Sequence, residues 1–461
     1  MAFAALRGWT GTQKSVVMAA YLGWTLDAFD FLLLTLITKD IATEFHKPAT
    51  ALGLVITGTL ALRPVGAFIF GRLADKFGRR PILMLDVLLY SALAFASAFA
   101  PSFEVFLILR CLFGVAMGGE WGIGSSLAME HVRPDSRGVV SGMLQTGYPT
   151  GGLLAAGAAA LLLPDFGWRA LVMLSAVPAV LVLFIRARVP ESPHFAAHAG
   201  TAPSLTVQAV AIGVVGLTLA IVGELSLFTD LLTRLALPLF VSAAALVAGL
   251  ILTALAFGRK NFYLALFAML LMAGFNSLSH GTQDFYSNFL RIQHGFDART
   301  ASFIIMAGSF GAILGGITSG TVSQIIGRRR MITIGALMVL PMIPFWVFYA
   351  TTPLMFGVAA FALQFMVQGA WGVVPAHLNE MSPPESRGTF PGFVYQIGNL
   401  LAAAVPYSQT FLVERHGWTY GQALALVAAM AAVTIAVLVN LGPEARDALM
   451  AKPTAPRVEP Q

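Results

Sequence analysis

Ionisable side chains inside long apolar stretches are the first candidates for chemistry in this sequence. The first half of the chain places five of them there: Asp27, Asp30, Arg63, Arg110 and Glu120. A charge near the middle of a bilayer costs at least a few kcal/mol, so each residue needs a partner or a function. A desolvated carboxyl can take up a proton and release it when a cation approaches. We therefore predict that one of the three acids, Asp27, Asp30 or Glu120, carries the proton, with fixed ion pairs or interhelical hydrogen bonds as the structural alternative.

The two arginines in these stretches have different neighbours. The guanidinium of Arg63 could hold a planar carboxylate through two parallel hydrogen bonds, or it could form a structural pair with one of the aspartates. Arg110 shares a helix face with Gly114 and Gly118, and small residues at this spacing let helices approach closely. We predict that Arg63 binds the substrate and that Arg110 has a structural or gating role.

A second set of polar residues follows helical spacing in the second half of the chain. Asn276, His280 and Asp284 recur at every fourth position, with Gln283 beside them. Residues four apart lie on one face of a helix, so these side chains form one polar stripe. We predict that the stripe binds substrate and that His280 and Asp284 relay a proton. Interhelical hydrogen bonds are the alternative.

Neutral polar residues supply further candidates for the substrate's remaining oxygens. Gln396 and Asn399 lie three apart on a later predicted helix, where their amides could bind a hydroxyl or keto oxygen or could join helices. Tyr148 belongs to a run of small residues that favours a bendable, closely packed helix, and its hydroxyl could reach a cavity. The predicted helix before Gln396 adds three candidates: Gln364, Gln368 and His377.

The elements that position these residues follow from the composition. Of 461 residues, 57% are hydrophobic and 11% are charged, whereas soluble domains carry about 25% charged residues. A transmembrane helix needs about 20 apolar residues, and the apolar runs predict fourteen. The fold class is therefore an all-α membrane protein, which excludes an ordinary soluble enzyme.

The fourteen predicted spans divide into six, two and six. The first six lie near residues 15–37, 52–70, 82–100, 105–129, 139–163 and 170–185, the next two near 205–223 and 235–257, and the last six near 262–283, 301–322, 331–350, 354–376, 388–412 and 420–441. We predict an N-terminal six-helix bundle over residues 1–190, an inserted hydrophobic hairpin with its linkers over 191–260, and a C-terminal six-helix bundle over 261–442. The loop of the hairpin contains Glu224, Asp230 and Arg234. Residues 443–461, which contain four prolines, are predicted to be a disordered tail.

Basic residues predict the orientation of the chain. Most of the 28 lysines and arginines fall on one side when the N-terminus is placed in the cytoplasm, as the positive-inside rule requires. We expect both termini to be cytoplasmic and the protein to lie in the inner (plasma) membrane of a bacterium.

Two short motifs occur twice in the chain. The loop at residues 71–80 recurs at 320–329, and the segment at 134–138 recurs at 384–388. Repeated helix bundles are typical of secondary transporters, in which the substrate binds near the midplane between two bundles that move against each other.

The loop at residues 71–80 resembles the conserved loop of the major facilitator superfamily. The segment Asn276 to Asp284 is similar to the signature segment of Jen-type lactate and pyruvate proton symporters. These symporters belong to the broader family of sialate proton symporters. The Jen-type pattern has a threonine at the position of Asn288 in this chain. In addition, the second copy of the repeated loop, at residues 320–329, has Gln324 where the first copy has Asp75. The inserted hairpin instead resembles fourteen-span sialic acid permeases. The resemblance implies a carboxylate-binding role for Arg63.

Charged residues near the predicted cytoplasmic helix ends are candidates for gating, because such groups can exchange partners as two bundles move. The candidates are the loop glycine Gly71 and the charged residues Asp75, Arg79, Arg80, Glu130, Arg133, Arg137, Glu380 and Arg387.

The predicted function is proton-coupled uptake of a small monocarboxylate such as lactate or pyruvate. The alternatives are uptake of sialate or another larger organic acid, and a membrane sensor that binds without transport. The expected partners are a small organic anion, a proton and the lipid bilayer. We expect a monomer with no catalytic residues, cofactor, metal ion or nucleic acid, since no sequence pattern indicates them.

Overall fold

The computed structural model describes residues 7–47, 49–198, 207–228 and 239–446. Within these ranges the chain forms helices and no β-strand, so the prediction of an all-helical protein is confirmed. The helices of the first half are α1 (Gly11–Leu36), α2 (Thr38–Glu44), α3 (Ala49–Phe77), α4 (Arg79–Ser97), α5 (Phe103–Met117), α6 (Glu120–His131), α7 (Arg137–Gln145), α8 (Gly147–Met173), α9 (Pro178–Arg188) and α10 (Pro193–His198).

The rest of the described chain begins with the hairpin helices α11 (Val207–Phe228) and α12 (Leu239–Leu255). The second half then follows as α13 (Phe262–Gln283), α14 (Ala298–Ile326), α15 (Arg328–Pro344), α16 (Pro353–Trp371), α17 (Val374–Met381), α18 (Phe390–Ala402), α19 (Ala404–His416) and α20 (Tyr420–Leu441).

Several predicted spans consist of two helices that meet at a break. The fourth span breaks at Gly118 and Gly119, where α5 meets α6. A side chain at Gly118 would overlap the backbone of Arg63, so the glycine permits this close crossing of α3. In α8, Gly167 has φ 71°, a conformation that favours glycine, and the chain turns there between the predicted fifth and sixth spans.

The number of membrane crossings remains a prediction. Eight helical segments of the described chain are long and apolar enough to cross a membrane by length and composition. The hairpin contains two shorter apolar stretches, Ala211–Glu224 and Val241–Leu255. The proposed total of fourteen spans thus exceeds the number of segments that meet this length and hydropathy requirement.

The two repeated loops adopt the same local structure. Gly78 and Gly327 have φ values of 107° and 102° and precede α4 and α15. In each repeat a glutamate accepts hydrogen bonds from the first two backbone N–H groups of the helix. Glu191 does so at 2.9 and 3.2 Å, and Glu444 at 3.3 and 3.0 Å. Each carboxylate satisfies N–H groups that the helix leaves without partners.

The start of the predicted tail contacts the repeated loop of the second half. Arg446 donates a hydrogen bond to the carbonyl oxygen of Ile325 at 2.8 Å, next to the loop that Glu444 caps. Residues up to 446 therefore have defined contacts. The remainder of the predicted disordered tail lies outside the described residues.

The hairpin packs against both halves of the molecule. Glycines 216, 223 and 249 bring α11 and α12 into backbone contact with each other. Gly213 of α11 lies beside Phe68 of α3, and α11 also contacts α18 and α19. Glu224, which the sequence predicted to lie in the hairpin loop, is instead within α11 and 3% exposed. Asp230 and Arg234 lie outside the described residues.

The two halves meet mainly at one end, which we name the basic end because it carries the repeated loops and their arginines. Backbone contacts between Gly122 and Gly392, and between Gly142 and Gly316, bring α6 against α18 and α7 against α14 there. Small residues allow this approach because no side chain separates the helices. We name the opposite end of the molecule the open end.

Candidate functional site

A cavity lies between the two halves, with about 540 Å³ of space between its walls, open solvent included. Both halves supply its wall. The lining residues of the first half are Trp24, Phe31, Leu60, Arg63, Gln145 and Tyr148. Those of the second half are Asn276, Ser279, His280, Gln283, Asp284, Gln368, Trp371, Tyr395 and Asn399.

Arg63 places a cation in the wall of this cavity. The residue is 4% exposed, and its Nη2 lies 3.9 Å from Asp27 Oδ1 and 2.7 Å from the sulfur of Met117. The guanidinium also lies over the ring of Phe31, with 4.8 Å from Cζ to the ring centre. Its Nε has no hydrogen-bond partner among the described residues. Arg63 therefore retains hydrogen-bonding capacity for an anion.

The three predicted proton carriers lie behind the cavity wall. Asp27 is 1% exposed and reaches the cavity only through Arg63. The spacing of Asp27 and Asp30, three residues apart on one helix, predicted that both face one cavity. Asp30 instead accepts a hydrogen bond of 2.7 Å from Ser175, and neither aspartate is a lining residue. Glu120 is 1% exposed, and its Oε2 has no partner among the described residues.

The polar stripe of α13 lines the cavity as one connected group. Nδ1 of His280 lies 3.0 Å from Asp284 Oδ2, and its Nε2 lies 3.4 Å from Asn399 Oδ1. The side chains of His280 and Asp284 are 23% and 33% exposed, so this part of the cavity communicates with the open end. A carboxylate on one ring nitrogen orients the imidazole and favours its charged form.

The predicted amide residues have unequal access to the cavity. Asn276 lines it and donates a hydrogen bond to Met272 O at 2.9 Å, while Gln283 donates to Gln364 at 3.2 Å. Asn399 also lines it and donates to Gln396 Oε1 at 3.3 Å. Gln396 lies behind Asn399 and is not a lining residue.

Aromatic rings close the cavity towards the basic end. Trp24 lies 5.7 Å from Tyr148 and 6.1 Å from Tyr395, between ring centres. Tyr395 stacks on Trp121 at 4.6 Å and meets Trp371 edge-on at 5.7 Å. Of these five residues, the sequence analysis identified only Tyr148 as a site candidate.

Two polar lining residues, Gln145 and Ser279, were not among the candidates from the sequence, whereas Gln368 was and also lines the cavity. Ser279 follows the same α13 stripe and accepts a hydrogen bond of 2.7 Å from the indole N–H of Trp371. Spacing along α13 could have indicated Ser279, since it lies three residues beyond Asn276 on a neighbouring face.

Asp75 joins the two halves at the basic end. Its carboxylate accepts hydrogen bonds from the backbone N–H of Gly388 at 2.7 Å and of Thr389 at 3.1 Å, and from the Thr389 hydroxyl at 2.6 Å. Arg79 pairs with Asp75 at 3.0 Å and with Glu130 at 3.5 Å. Gly71 contacts the backbone of Thr389 directly. These contacts hold the first half against the second in this conformation.

A second group of charges joins the halves around Glu380. Arg328 donates two hydrogen bonds to this carboxylate at 2.9 and 3.0 Å, and Arg137 of the first half lies 3.9 Å from it. Both Arg328 and Glu380 have fully buried side chains. A buried pair of this kind is costly to break because one charge would remain uncompensated.

The remaining gating candidates have more local contacts. Arg80 donates to the carbonyl oxygen of Arg186 at 2.5 Å, within the first half. Arg133 forms an exposed pair with Asp135 at 3.2 Å, which does not join the halves. Arg387 lies 3.3 Å from His194 Nδ1, between the short helix α10 and the second half. Burial lowers the pKa of His194, so its neutral ring can accept a hydrogen bond from the guanidinium.

Two protein-family models match the chain, one in each half. The model of the sugar (and other) transporter family matches residues 14–203, and the model of the major facilitator superfamily matches residues 269–458. Solved structures agree with the fold. The proton:xylose symporter XylE has a TM-score of 0.70 at 18% identity, covering 95% of this chain and 98% of its own. The human organic anion transporter MFSD10 has a TM-score of 0.68 at 17% identity, covering 93% and 99%.

Curated relatives extend the comparison. A carboxylic acid transporter protein homolog of Saccharomyces cerevisiae is 27% identical over 89% of this chain, and the chain spans 63% of that relative's length. The sialic acid transporter NanX of Escherichia coli is 23% identical, covering 88% of each chain. The cis,cis-muconate transport protein of Acinetobacter baylyi is 26% identical, covering 87% of this chain and 88% of its own.

The fold and the two family matches define a helical membrane transporter built from two related halves. Its first half matches the sugar (and other) transporter family and its second half matches the major facilitator superfamily, and the whole chain has the fold of a solved transporter of that superfamily.

Proposed function

We propose that the protein is a proton-coupled symporter that takes up a small monocarboxylate, such as lactate or pyruvate, by alternating access. The observation that carries this proposal is Arg63, a buried guanidinium in the cavity wall whose Nε lacks a hydrogen-bond partner among the described residues. A planar carboxylate is the anion whose geometry matches a guanidinium through two parallel hydrogen bonds. Three relatives whose names specify an acidic substrate class support an organic acid as the cargo.

The surrounding residues supply the other parts of a binding site. Asn276, Asn399 and Gln283 present amides that can bind a hydroxyl or keto oxygen, and Tyr148 adds a hydroxyl. His280 can donate a hydrogen bond from Nε2 when Asp284 holds its other nitrogen. A small hydroxy or keto acid would therefore find one cation and several neutral partners in this cavity.

Proton coupling follows from the contact between Arg63 and Asp27. When the carboxyl of Asp27 is ionised, it shares the guanidinium with any bound anion. Protonation of Asp27 removes that competition and leaves Arg63 free for the substrate carboxylate. Binding of the acid and binding of the proton then favour each other, as linkage between two sites requires.

Alternating access requires the basic end to separate. The contacts of Asp75 with Gly388 and Thr389 and those of Glu380 with Arg137 join the halves there. Their release would open the cavity towards the basic end, while the open end closes over the substrate.

A larger organic acid is the second candidate. The aromatic wall of Trp24, Tyr395 and Trp371 suits a substrate with an apolar or unsaturated body. The relatives named for sialic acid and for cis,cis-muconate support this alternative.

Uptake into proteoliposomes distinguishes the candidates. Labelled lactate is offered with and without an inward proton gradient, with unlabelled pyruvate, acetate, sialate and cis,cis-muconate as competitors. The proposal predicts uptake that the gradient stimulates and that pyruvate blocks. Gradient-driven uptake of sialate or muconate without uptake of lactate would identify the larger acid as the substrate. Binding of an acid without any flux would contradict transport.

A further inference from the structure

A fully buried aspartate on α4 has no part in the cavity or in the contacts at the basic end. Asp86 is 0% exposed, and neither oxygen of its carboxyl has a hydrogen-bond partner among the described residues. It lies seven residues after Arg79, where α4 begins, and so about 10 Å from the basic end along the helix. An ionised carboxylate without a donor is strongly disfavoured at such a place. A carboxyl here therefore has to hold a proton or exchange one.

Two further buried carboxyls lie between Asp86 and the cavity wall. Glu120 packs against α1 one helical turn from Asp27. Asp86 lies beside Gly119, the residue before Glu120, since a β-carbon there would be 3.1 Å from Asp86 Oδ1. The charges that act on Asp86 come from Glu120 on α6 and Asp27 on α1, and both are acidic. Because Asp27 contacts Arg63, the series begins at the cavity wall.

A tyrosine beside these acids is also without a partner. Tyr90 follows Asp86 by one helical turn on the same face of α4 and is 0% exposed. Its hydroxyl has no hydrogen-bond partner among the described residues, although four acids, Glu120, Asp30, Asp27 and Asp86, act on it electrostatically. A buried hydroxyl is normally hydrogen-bonded. This one can donate to a neighbouring carboxylate when that group loses its proton.

We propose that Asp27, Glu120 and Asp86 form a proton route from the cavity wall to the basic end, with Tyr90 as the donor that stabilises the Asp86 carboxylate. The proposal rests on the proton coupling of the proposed function. In each step a carboxylic acid gives its proton to the next carboxylate, so the donor becomes ionised and the acceptor neutral. In the last step Asp86 gives its proton to a water molecule that reaches α4 when the basic end opens, and the hydronium ion formed leaves to the solution there. The net product is one proton released at the basic end for each proton taken from the cavity.

Neutral replacement of Asp86 separates this role from a structural one. Counterflow, the exchange of labelled for unlabelled acid at equal pH, needs substrate binding and alternating access but no net proton release. Uptake driven by a proton gradient needs substrate binding, alternating access and net proton release. In proteoliposomes, Asp86→Asn should keep counterflow within about twofold of the wild type and lower gradient-driven accumulation by about tenfold or more. Tyr90→Phe should show a smaller loss of the same kind.

Glu224→Gln is the matched control because it also removes a buried carboxyl with an unpartnered oxygen, at 3% exposure, but in the hairpin. It should keep both activities. Infrared difference spectra of the reconstituted protein give a second measurement, since the carbonyl stretch of a protonated carboxylic acid should change with pH in the wild type and lose one component in Asp86→Asn.

Three outcomes would overturn the proton route. They are full gradient-driven accumulation by Asp86→Asn, equal loss of counterflow and accumulation, and an unchanged infrared carboxyl band. A wild-type protein that takes up acid without any response to the proton gradient would instead refute the proposed function itself. The two failures are therefore distinguishable in the same set of experiments.

Discussion

Replacement of Arg63 by lysine tests the carboxylate site while it preserves the charge in the cavity wall. Lysine cannot form the two parallel hydrogen bonds that a guanidinium offers, so the substrate loses one charge-assisted bond. Such a bond contributes about 1.5–3 kcal/mol, which corresponds to a decrease of about 10- to 100-fold in affinity. We expect Arg63→Lys to raise the KM for counterflow by that factor, with a smaller effect on maximal rate.

Lysine is preferable to alanine at this position for a structural reason. Arg63 lies 3.9 Å from Asp27 and both side chains are buried, so Arg63→Ala would leave a buried carboxylate without its cation. Breaking such a pair costs about 3–5 kcal/mol and would confuse loss of binding with loss of folding. The control is Arg299→Lys, at an exposed arginine near the open end, which should leave the KM unchanged.

The result that would refute this reasoning is a KM for Arg63→Lys within about twofold of the wild type, because less than 0.5 kcal/mol would then depend on the guanidinium. Equal increases in KM for Arg63→Lys and Arg299→Lys would also contradict it. Both substitutions keep the positive charge, so equal increases would show that the effect does not depend on a guanidinium in the cavity wall.

Three further changes test the packing, the basic end and the cavity wall. A methyl group at Gly66 would overlap the carbonyl oxygen of Val115, so Gly66→Ala should cost about 1–3 kcal/mol of stability and lower the melting temperature in detergent. The control is Gly157→Ala, whose methyl group meets nothing within 4 Å and should not lower the melting temperature. Asp75→Asn weakens the hydrogen bonds that join the halves, so a cysteine placed in the cavity of a cysteine-free background should react more slowly with a maleimide applied at the open end. Trp371→Phe removes the 2.7 Å hydrogen bond to Ser279. It should raise the KM for lactate a fewfold in counterflow and leave the melting temperature within a few degrees of the wild type. An unchanged KM would exclude the indole from the binding site.

The helices and the repeat could be predicted because their signals are strong and local. Long apolar runs and the recurrence of the loop at residues 71–80 at 320–329 are visible in the sequence alone. The capping of these loops by Glu191 and Glu444 was not predicted. Each glutamate lies more than a hundred residues from the loop it caps, so no local pattern connects them.

Polar residues of the cavity were easier to predict than aromatic ones. Arg63, Asn276 and His280 are conspicuous because a polar group in an apolar helix is costly wherever it lies. Trp371 and Tyr395 are not, because an aromatic ring is equally acceptable against lipid, against another helix or in a cavity. Only the packing of α16 and α18 determines which way these rings face.

Two aspartates illustrate the limits of reasoning from helical spacing. Asp27 and Asp30 share a broad face of α1, yet one contacts Arg63 and the other bonds to Ser175, because neighbouring helices approach α1 from both sides. Asp86 was not predicted, although it lies inside the predicted third span and the same energetic rule applies to it. Its role depends on α6, whose position the sequence does not reveal.

Proton movement with the acid is the most direct test of the central claim. Proteoliposomes in weakly buffered medium receive lactate while a pH electrode records the external solution. Symport predicts that the external medium becomes more alkaline as labelled lactate enters, and that Arg63→Lys requires about 10- to 100-fold more lactate for the same initial rate. Entry of labelled lactate with no change in external pH would contradict proton-coupled transport.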